Sequence, residues 1–148
     1  VAARAGAPKP DISTPDKFKA AMLAAKSIIY TDPASGASSG IATARMFAGL
    51  GIADRMKPKT TLQPGGFTAE KVASGQIEFA IQNISELIPV KGVVVVGPLP
   101  AALQTYTTYS AAIGAYIADP KTAQAFLDFL THAEAVPAWK AGGLEPGG

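Results

Sequence analysis

The chain has 148 residues, 48% hydrophobic and only 16% charged, a balance that supports a packed α/β domain or most of a small two-lobed one and excludes disorder. Its net charge of +2 is spread over interspersed acidic and basic residues without a basic stripe, which excludes nucleic acid as a partner. With no cysteine and one histidine, His132, disulfides, thiolates and cysteine metal sites are excluded, and histidine chemistry would rest on a single side chain.

Val1-Ala2-Ala3-Arg4 opens the chain as a strand, not as the charged start of a signal peptide, and no apolar run approaches the ~20 residues that span a bilayer. Pro8-Lys9-Pro10-Asp11 is a turn. Ser13 or Thr14 caps a helix that starts at Pro15, where a missing N–H costs nothing, and runs to about Ala25. Ser27 to Thr31 is a short buried strand, and a loop follows from Asp32 to Ala37. Ser38 or Ser39 then caps a helix that Gly51 stops. Thr60 to Gln63 is a strand, Pro64-Gly65-Gly66 a turn, and Phe67 to Ser74 a helix ended by Gly75. Ile77 to Gln82 is a strand, Ile84 to Ile88 a helical turn, and Val93 to Val96 an apolar strand. Tyr106 to Tyr116 alternates Thr, Tyr, Ile and Ala and predicts a long strand. Asp119 caps a helix from Pro120 to Leu130, and a last helix covers Ala133 to Ala141. Strands alternating with helices predict βα units, a mostly parallel sheet and flanking helices. Gly97 to Thr105 is the best crossover between lobes.

Open α/β sheets bind ligands beyond the C-terminal ends of their strands, beside the next helix start. Three such junctions carry hydroxyls and glycines. In Ser35-Gly36-Ala37-Ser38-Ser39-Gly40, helix N–H groups and the serine hydroxyls suit an anion; alternatively one serine caps the helix and the others fill a loop. Gln63-Pro64-Gly65-Gly66-Phe67-Thr68 also follows a strand and opens a helix, with Phe67 a ligand platform; alternatively the glycine serves a tight turn and Phe67 is a core staple. In Gln82-Asn83-Ile84-Ser85-Glu86, Gln82 and Ser85 are neutral donors and acceptors, while Asn83 reads as a cap and Glu86 as solvated. The ligand-binding candidates are therefore Ser35, Ser38, Ser39, Gly40, Gly66, Phe67, Gln82 and Ser85. No segment matches GxGxxG or GxxxxGK[ST], and no pair of carboxylates stands out, so no catalytic residue, metal or cofactor is expected. Asp32 reads as a turn residue, Arg45 as solvent-facing and His132 as an exposed helix end.

The run from Asp32 to Ile41, the helix–glycine–strand rhythm from Val72 to Gln82, the return segment Val93 to Pro100 with Tyr106 to Ala112, and the end from Ala125 to Leu144 together resemble the molybdate-type periplasmic solute-binding proteins. The resemblance implies a type II periplasmic-binding-protein fold, two-lobed and α/β, closing on its ligand by hinge motion. It implies that residues 1–97 form the first hinge strand and second lobe. Residues 98–148 would be the return crossover and C-terminal helices of a first lobe that lacks its N-terminal part. It further implies a periplasmic protein that captures a small anion and passes it to the membrane subunits of an ABC transporter without doing chemistry. An incomplete first lobe would favour a homodimer or a swapped dimer. The family's Ala-Gly helix start corresponds to Ser39 and Gly40. Its Asn-Val-Arg is absent near Gly66 and Phe67, and Gln82 stands where the family has tyrosine. A different oxyanion or a small organic carboxylate thus suits the chain as well as molybdate. Two other functions share the scaffold: the effector-sensing domain of a transcriptional regulator, and an isomerase of a small carboxylate.

Overall fold

The computed structural model describes residues 1–146, which fall into two compact units, Val1–Tyr106 and a second from Thr107 on. The first holds all five strands: β1 (Ala2–Arg4), β2 (Ile28–Thr31), β3 (Thr60–Gln63), β4 (Phe79–Ile81) and β5 (Val93–Val95). They form one sheet in the order β3-β2-β4-β1-β5. β2 pairs in parallel with β3 and β4, and β1 runs antiparallel between β4 and β5, so four strands point one way and their C-terminal ends share an edge.

β2, Ile-Ile-Tyr-Thr, is buried along its whole length, as a central strand covered on both faces must be. Its side chains alternate between two cores. Ile28 and Tyr30 join Phe18, Met22, Phe47, Ile52 and Met56, with Phe18 stacked on Phe47 at 6.5 Å between centroids and Tyr30 edge-on to Phe47 at 5.9 Å. Ile29 packs with Ala2, Ala69, Val72, Ala80 and Leu87 on the other face. The first layer is built by α1 (Pro15–Ala24), α2 (Ser38–Gly49) and α3 (Ala53–Met56), the second by α4 (Ala69–Ala73) and α5 (Ile84–Leu87). Burying each of these Phe, Ile, Met and Leu side chains stabilises the fold by roughly 1.5–3 kcal/mol. The mixed α/β class and the flanking helices expected from the sequence are present.

Local signals place α1 well. Thr14 is its N-cap, accepting from Lys17 N at 3.2 Å, and Pro15 opens it. At its far end Lys59 Nζ donates to the carbonyls of Met22, Leu23 and Ala25 at 2.7–2.8 Å, satisfying acceptors that the last turn leaves open. Gly51, at φ +66°, ends α2 as expected.

Two expectations are corrected. Neither Ser38 nor Ser39 caps α2: Ala37 is the N-cap residue and no side chain caps the helix. The long strand expected over Tyr106 to Tyr116 is absent; these residues lie outside any helix or strand and Tyr106, Tyr109 and Tyr116 are exposed. Alternation and β-propensity describe a surface that fits a sheet, but a strand also needs a neighbour to complete its hydrogen bonds, and this segment has no pairing strand among the described residues. The segment from Gly97 to Thr105 is also irregular. It is tied to the rest of the first unit by Leu99 and Leu103, which pack on the core, and is braced internally by Leu99 N donating to Gln104 Oε1 at 2.9 Å.

The second unit contains α6 (Pro120–Thr131) and α7 (Val136–Ala141), joined through a 3-10 turn over Ala133–Ala135. Asp119 caps α6 from both oxygens: Oδ1 accepts from Thr122 N at 3.1 Å and Oδ2 from the Thr122 hydroxyl at 2.7 Å. Trp139 Nε1 donates to Leu130 O at 3.0 Å and holds the two helices together. Phe126 and Phe129 are exposed on α6.

Candidate functional site

The C-terminal edge of the sheet gathers the ends of β2, β3 and β4, with β2 in the middle. Hydrogen bonds link the three junctions in a chain. Asp32 N donates to Gln63 O at 2.8 Å, continuing the β2–β3 ladder one residue past β2. Gln82 Oε1 accepts from Thr68 N at 3.0 Å and from the Thr68 hydroxyl at 2.7 Å, while Gln82 Nε2 donates to Gly66 O at 3.0 Å.

After β2 the chain makes a 3-10 turn over Pro33–Ser35. Asp32 organises it: its carboxylate accepts from Ala34 N at 2.9 Å and its carbonyl from the Ser35 hydroxyl at 2.7 Å. Ser35 is thereby spent on the turn, although it remains exposed. Gly36, at φ +79°, turns the chain into α2. Gly40 sits in the first turn of α2, and a Cβ there would strike the Thr31 carbonyl oxygen. Its backbone packs directly on the end of β2, so only glycine brings α2 this close. Ser39 stands beside it, half-buried, its Oγ 3.4 Å from the hydroxyl of buried Thr31. Ser38 is exposed at the first residue of the helix. The start of α2 therefore presents partial positive charge and hydroxyls at the sheet edge.

After β3, Gln63 Nε2 donates to Gly65 O at 2.7 Å and Gly66 adopts φ +76°, which closes the turn. Phe67 is exposed and is not a core staple. The Gln82 amide forms the floor of this loop from β4, with its oxygen and one N–H engaged by Thr68 and Gly66. Thr68, fully buried, is a residue the sequence reading missed; the signal was a threonine directly before the apolar helix Ala69–Ala73. Ser85 lies in α5, half-buried beyond the end of β4. Glu86, next to it, is half-buried and not solvated as expected; its Oε2 is out of contact with water and has no hydrogen-bond partner.

Tyr30 lies one residue before this edge. Burial, and then the Asp32 charge, push its hydroxyl above the usual tyrosine range, so it stays a neutral phenol. An open cavity of about 490 Å³ flanks the C-terminal end of β5, lined by Pro10 to Ser13 and Val96 to Ala101. None of the eight predicted site residues lines it. Arg45 is exposed. His132 belongs to the second unit, exposed at the end of α6 with Nδ1 4.0 Å from Glu134 Oε2. Among the described residues no group of His, Asp and Glu is arranged to hold a metal.

No solved structure gives a significant match. An aconitate isomerase from a Pseudomonas species is 34% identical over 146 residues, which covers 99% of this chain and 55% of that protein. The chain thus spans about half the length of the curated relative it matches. This similarity corrects the expectation of a protein that does no chemistry, because a relative aligned along nearly the whole chain is named as an enzyme. The model of the bacterial extracellular solute-binding proteins matches residues 1–145. Neither similarity names molybdate, and the two-layered helical cover, the sheet and the crest of loops at its edge agree with the broader assignment: the chain belongs to the bacterial extracellular solute-binding protein family.

Proposed function

We propose that this chain holds a small polycarboxylate at the C-terminal edge of its sheet and belongs to an isomerase of that acid, with aconitate as the first candidate. In this reading residues 1–97 form one lobe of a two-lobed protein that closes around its ligand outside the cytoplasm. The observation that carries it is the hydrogen-bonded linkage of the three junctions. Asp32–Gln63 and Gln82–Gly66–Thr68 fix three loops around a helix start that no side chain caps. Ser35, Ser38, Ser39, Gly40, Gly66, Phe67, Gln82 and Ser85 all lie in or beside these loops. Ser38, Ser39 and the backbone of Gly66 and Phe67 are its principal anion contacts, while Gly40, Thr68 and Gln82 position them.

The chemistry fits the acid. Aconitate carries three carboxylates around one carbon–carbon double bond. Shifting that bond removes a proton from the methylene carbon and returns one to the far alkene carbon, with no net oxidation and no cofactor. Such a site needs donors for the carboxylates and one base. The similarity to an aconitate isomerase supports both the reaction class and the ligand. The family description supports a second role for the same site, solute capture; in that reading the acid would be passed to the membrane subunits of an ABC transporter.

The test is a thermal-shift titration of the protein with cis- and trans-aconitate, citrate, molybdate and phosphate, followed by proton NMR of each aconitate isomer. Aconitate is expected to raise the melting temperature, since saturation to 100 times Kd adds about 2.7 kcal/mol, and each isomer is expected to convert into the other. An unmoved midpoint with both isomers recovered intact overturns the proposal. A raised midpoint with unchanged acid removes the isomerase and leaves capture.

A further inference from the structure

We propose that Glu86 is the base that carries the proton in this isomerisation, an assignment that rests on the isomerase reading above. Its starting point is a single atom. Glu86 Oε2 is the buried side-chain oxygen without a hydrogen-bond partner among the described residues. A buried polar atom left unpaired costs on the order of 1–3 kcal/mol, and structures keep few of them. A reactive carboxylate is one reason to keep one, because an oxygen already saturated by donors is a poor base.

Position points the same way. Glu86 lies in α5, four residues past Gln82, on the loop crest that follows β4. The other carboxylates of the first unit are engaged, exposed to solvent or at the far end of the sheet. Asp32 accepts from Ala34 N in its own turn. Glu78 accepts from Lys26 N at 2.6 Å, beyond the other end of the sheet, where β4 begins. Asp11 pairs with Lys17 at 2.8 Å and Asp54 with Lys57 at 2.7 Å, and both aspartates are held below the usual carboxylate range by those lysines. Glu70 is exposed in the first turn of α4 and Asp16 in the first turn of α1. The phenol of Tyr30 is held neutral. Of the carboxylates of the first unit, Glu86 alone has an oxygen that is both dry and uncommitted among the described residues.

The step balances without a further reactant. The Glu86 carboxylate takes a proton from the methylene carbon of the acid: a C–H bond breaks and an O–H bond forms. The electron pair moves into the carbon framework and the double bond migrates. The protonated Glu86 then gives its proton to the former alkene carbon, and the carboxylate is restored. The charge that builds on the substrate carboxylates in between is met by the helix start at Ser38 and Ser39 and by the Gly66–Thr68 loop.

The test compares wild type with Glu86→Gln and Glu86→Asp in the full-length protein. It uses cis-aconitate in D2O and follows both conversion and solvent deuterium entering the substrate methylene. Wild type must convert the acid; if it does not, the isomerase reading fails before Glu86 is at issue. Given wild-type conversion, E86Q is expected to keep the aconitate-induced rise in melting temperature and to lose conversion and deuterium entry together, by about 100-fold or more, the usual range for losing a general base. E86D, which keeps the carboxylate but shortens its reach, is expected to retain partial turnover and serves as the reporter should E86Q not fold. Conversion by E86Q within about threefold of wild type, or conversion by a folded E86D that matches wild type, would overturn the assignment.

Discussion

Gln82 shows how one side chain at this edge does the work of several. Its oxygen takes two hydrogen bonds from Thr68 and its nitrogen gives one to Gly66, so three polar atoms of the preceding loop are satisfied from β4. The Thr68 hydroxyl is buried with it, and such a donor has no water to fall back on. Thr68→Val keeps the shape and removes only that hydroxyl. Its expected cost is about 1–2 kcal/mol, the penalty for leaving the half-buried Gln82 oxygen short of one donor. Chemical denaturation measures it, and aconitate affinity should fall as the Gly66–Phe67 backbone loosens. A denaturation midpoint equal to wild type would mean the clamp contributes nothing. From the sequence Gln82 read as a ligand contact, because its partners lie 14 and 16 residues away and proximity across adjacent strands is not a local property. The packing role of Gly40 was hidden for the same reason. Its need for a missing side chain arises from the Thr31 carbonyl it packs against, which the chain order does not reveal.

Elements with complete local instructions were legible. α1 has Thr14 and Pro15 at its start, and α6 has Asp119 and Pro120. Each begins where a side-chain oxygen meets an otherwise unsatisfied amide beside a residue already fixed near helical φ. The segment from Tyr106 to Tyr116 lacked that closure: its composition favours extended backbone, but a strand is defined by its neighbour. The cap of α6 also responds to pH. The Thr122 hydroxyl and amide hold the Asp119 carboxyl below the usual carboxylate range. A depressed folded-state pKa means that the carboxylate form is favoured by folding. Its stabilisation is therefore full above the unfolded value of about 3.9 and fades as acid protonates the folded cap. Far-UV circular dichroism should show helix signal falling on acidification below pH ~4 in wild type. Asp119→Asn, which can still accept from the Thr122 amide but does not titrate, should flatten that part of the curve. An identical acid transition in both proteins would remove Asp119 as its source.

At the scale of the molecule, stability is concentrated where the two cores share one sheet. Ile28, Ile29 and Ala80 are wholly buried, and β2 and β4 are each flanked by strands on both sides. β1 is short, but by lying antiparallel between β4 and β5 it joins the apolar strand Val93–Val95 to the rest and completes a ladder that the parallel βα units alone would leave open. The site is carried on the loops at one end of this sheet, so the rigid part is below it and the adaptable part faces the ligand. Residues 107–117, by contrast, lie outside helix and strand and expose Tyr109, Tyr116 and Ile117. Local opening free energies follow burial and regular hydrogen bonding. Native-state hydrogen exchange should accordingly find the amides of Ile28 to Thr31 and Phe79 to Ile81 among the slowest, exchanging only on global unfolding, and those of residues 107–117 among the fastest. Adding aconitate should slow exchange selectively in the loops from Asp32 to Gly40 and Gly65 to Thr68, because bound carboxylates restrain those backbones while the central strands are already limited by the whole fold. Protection that rises instead along residues 107–117, with the sheet-edge loops unchanged, would move the ligand to the other unit and leave the linked crest as scaffolding alone.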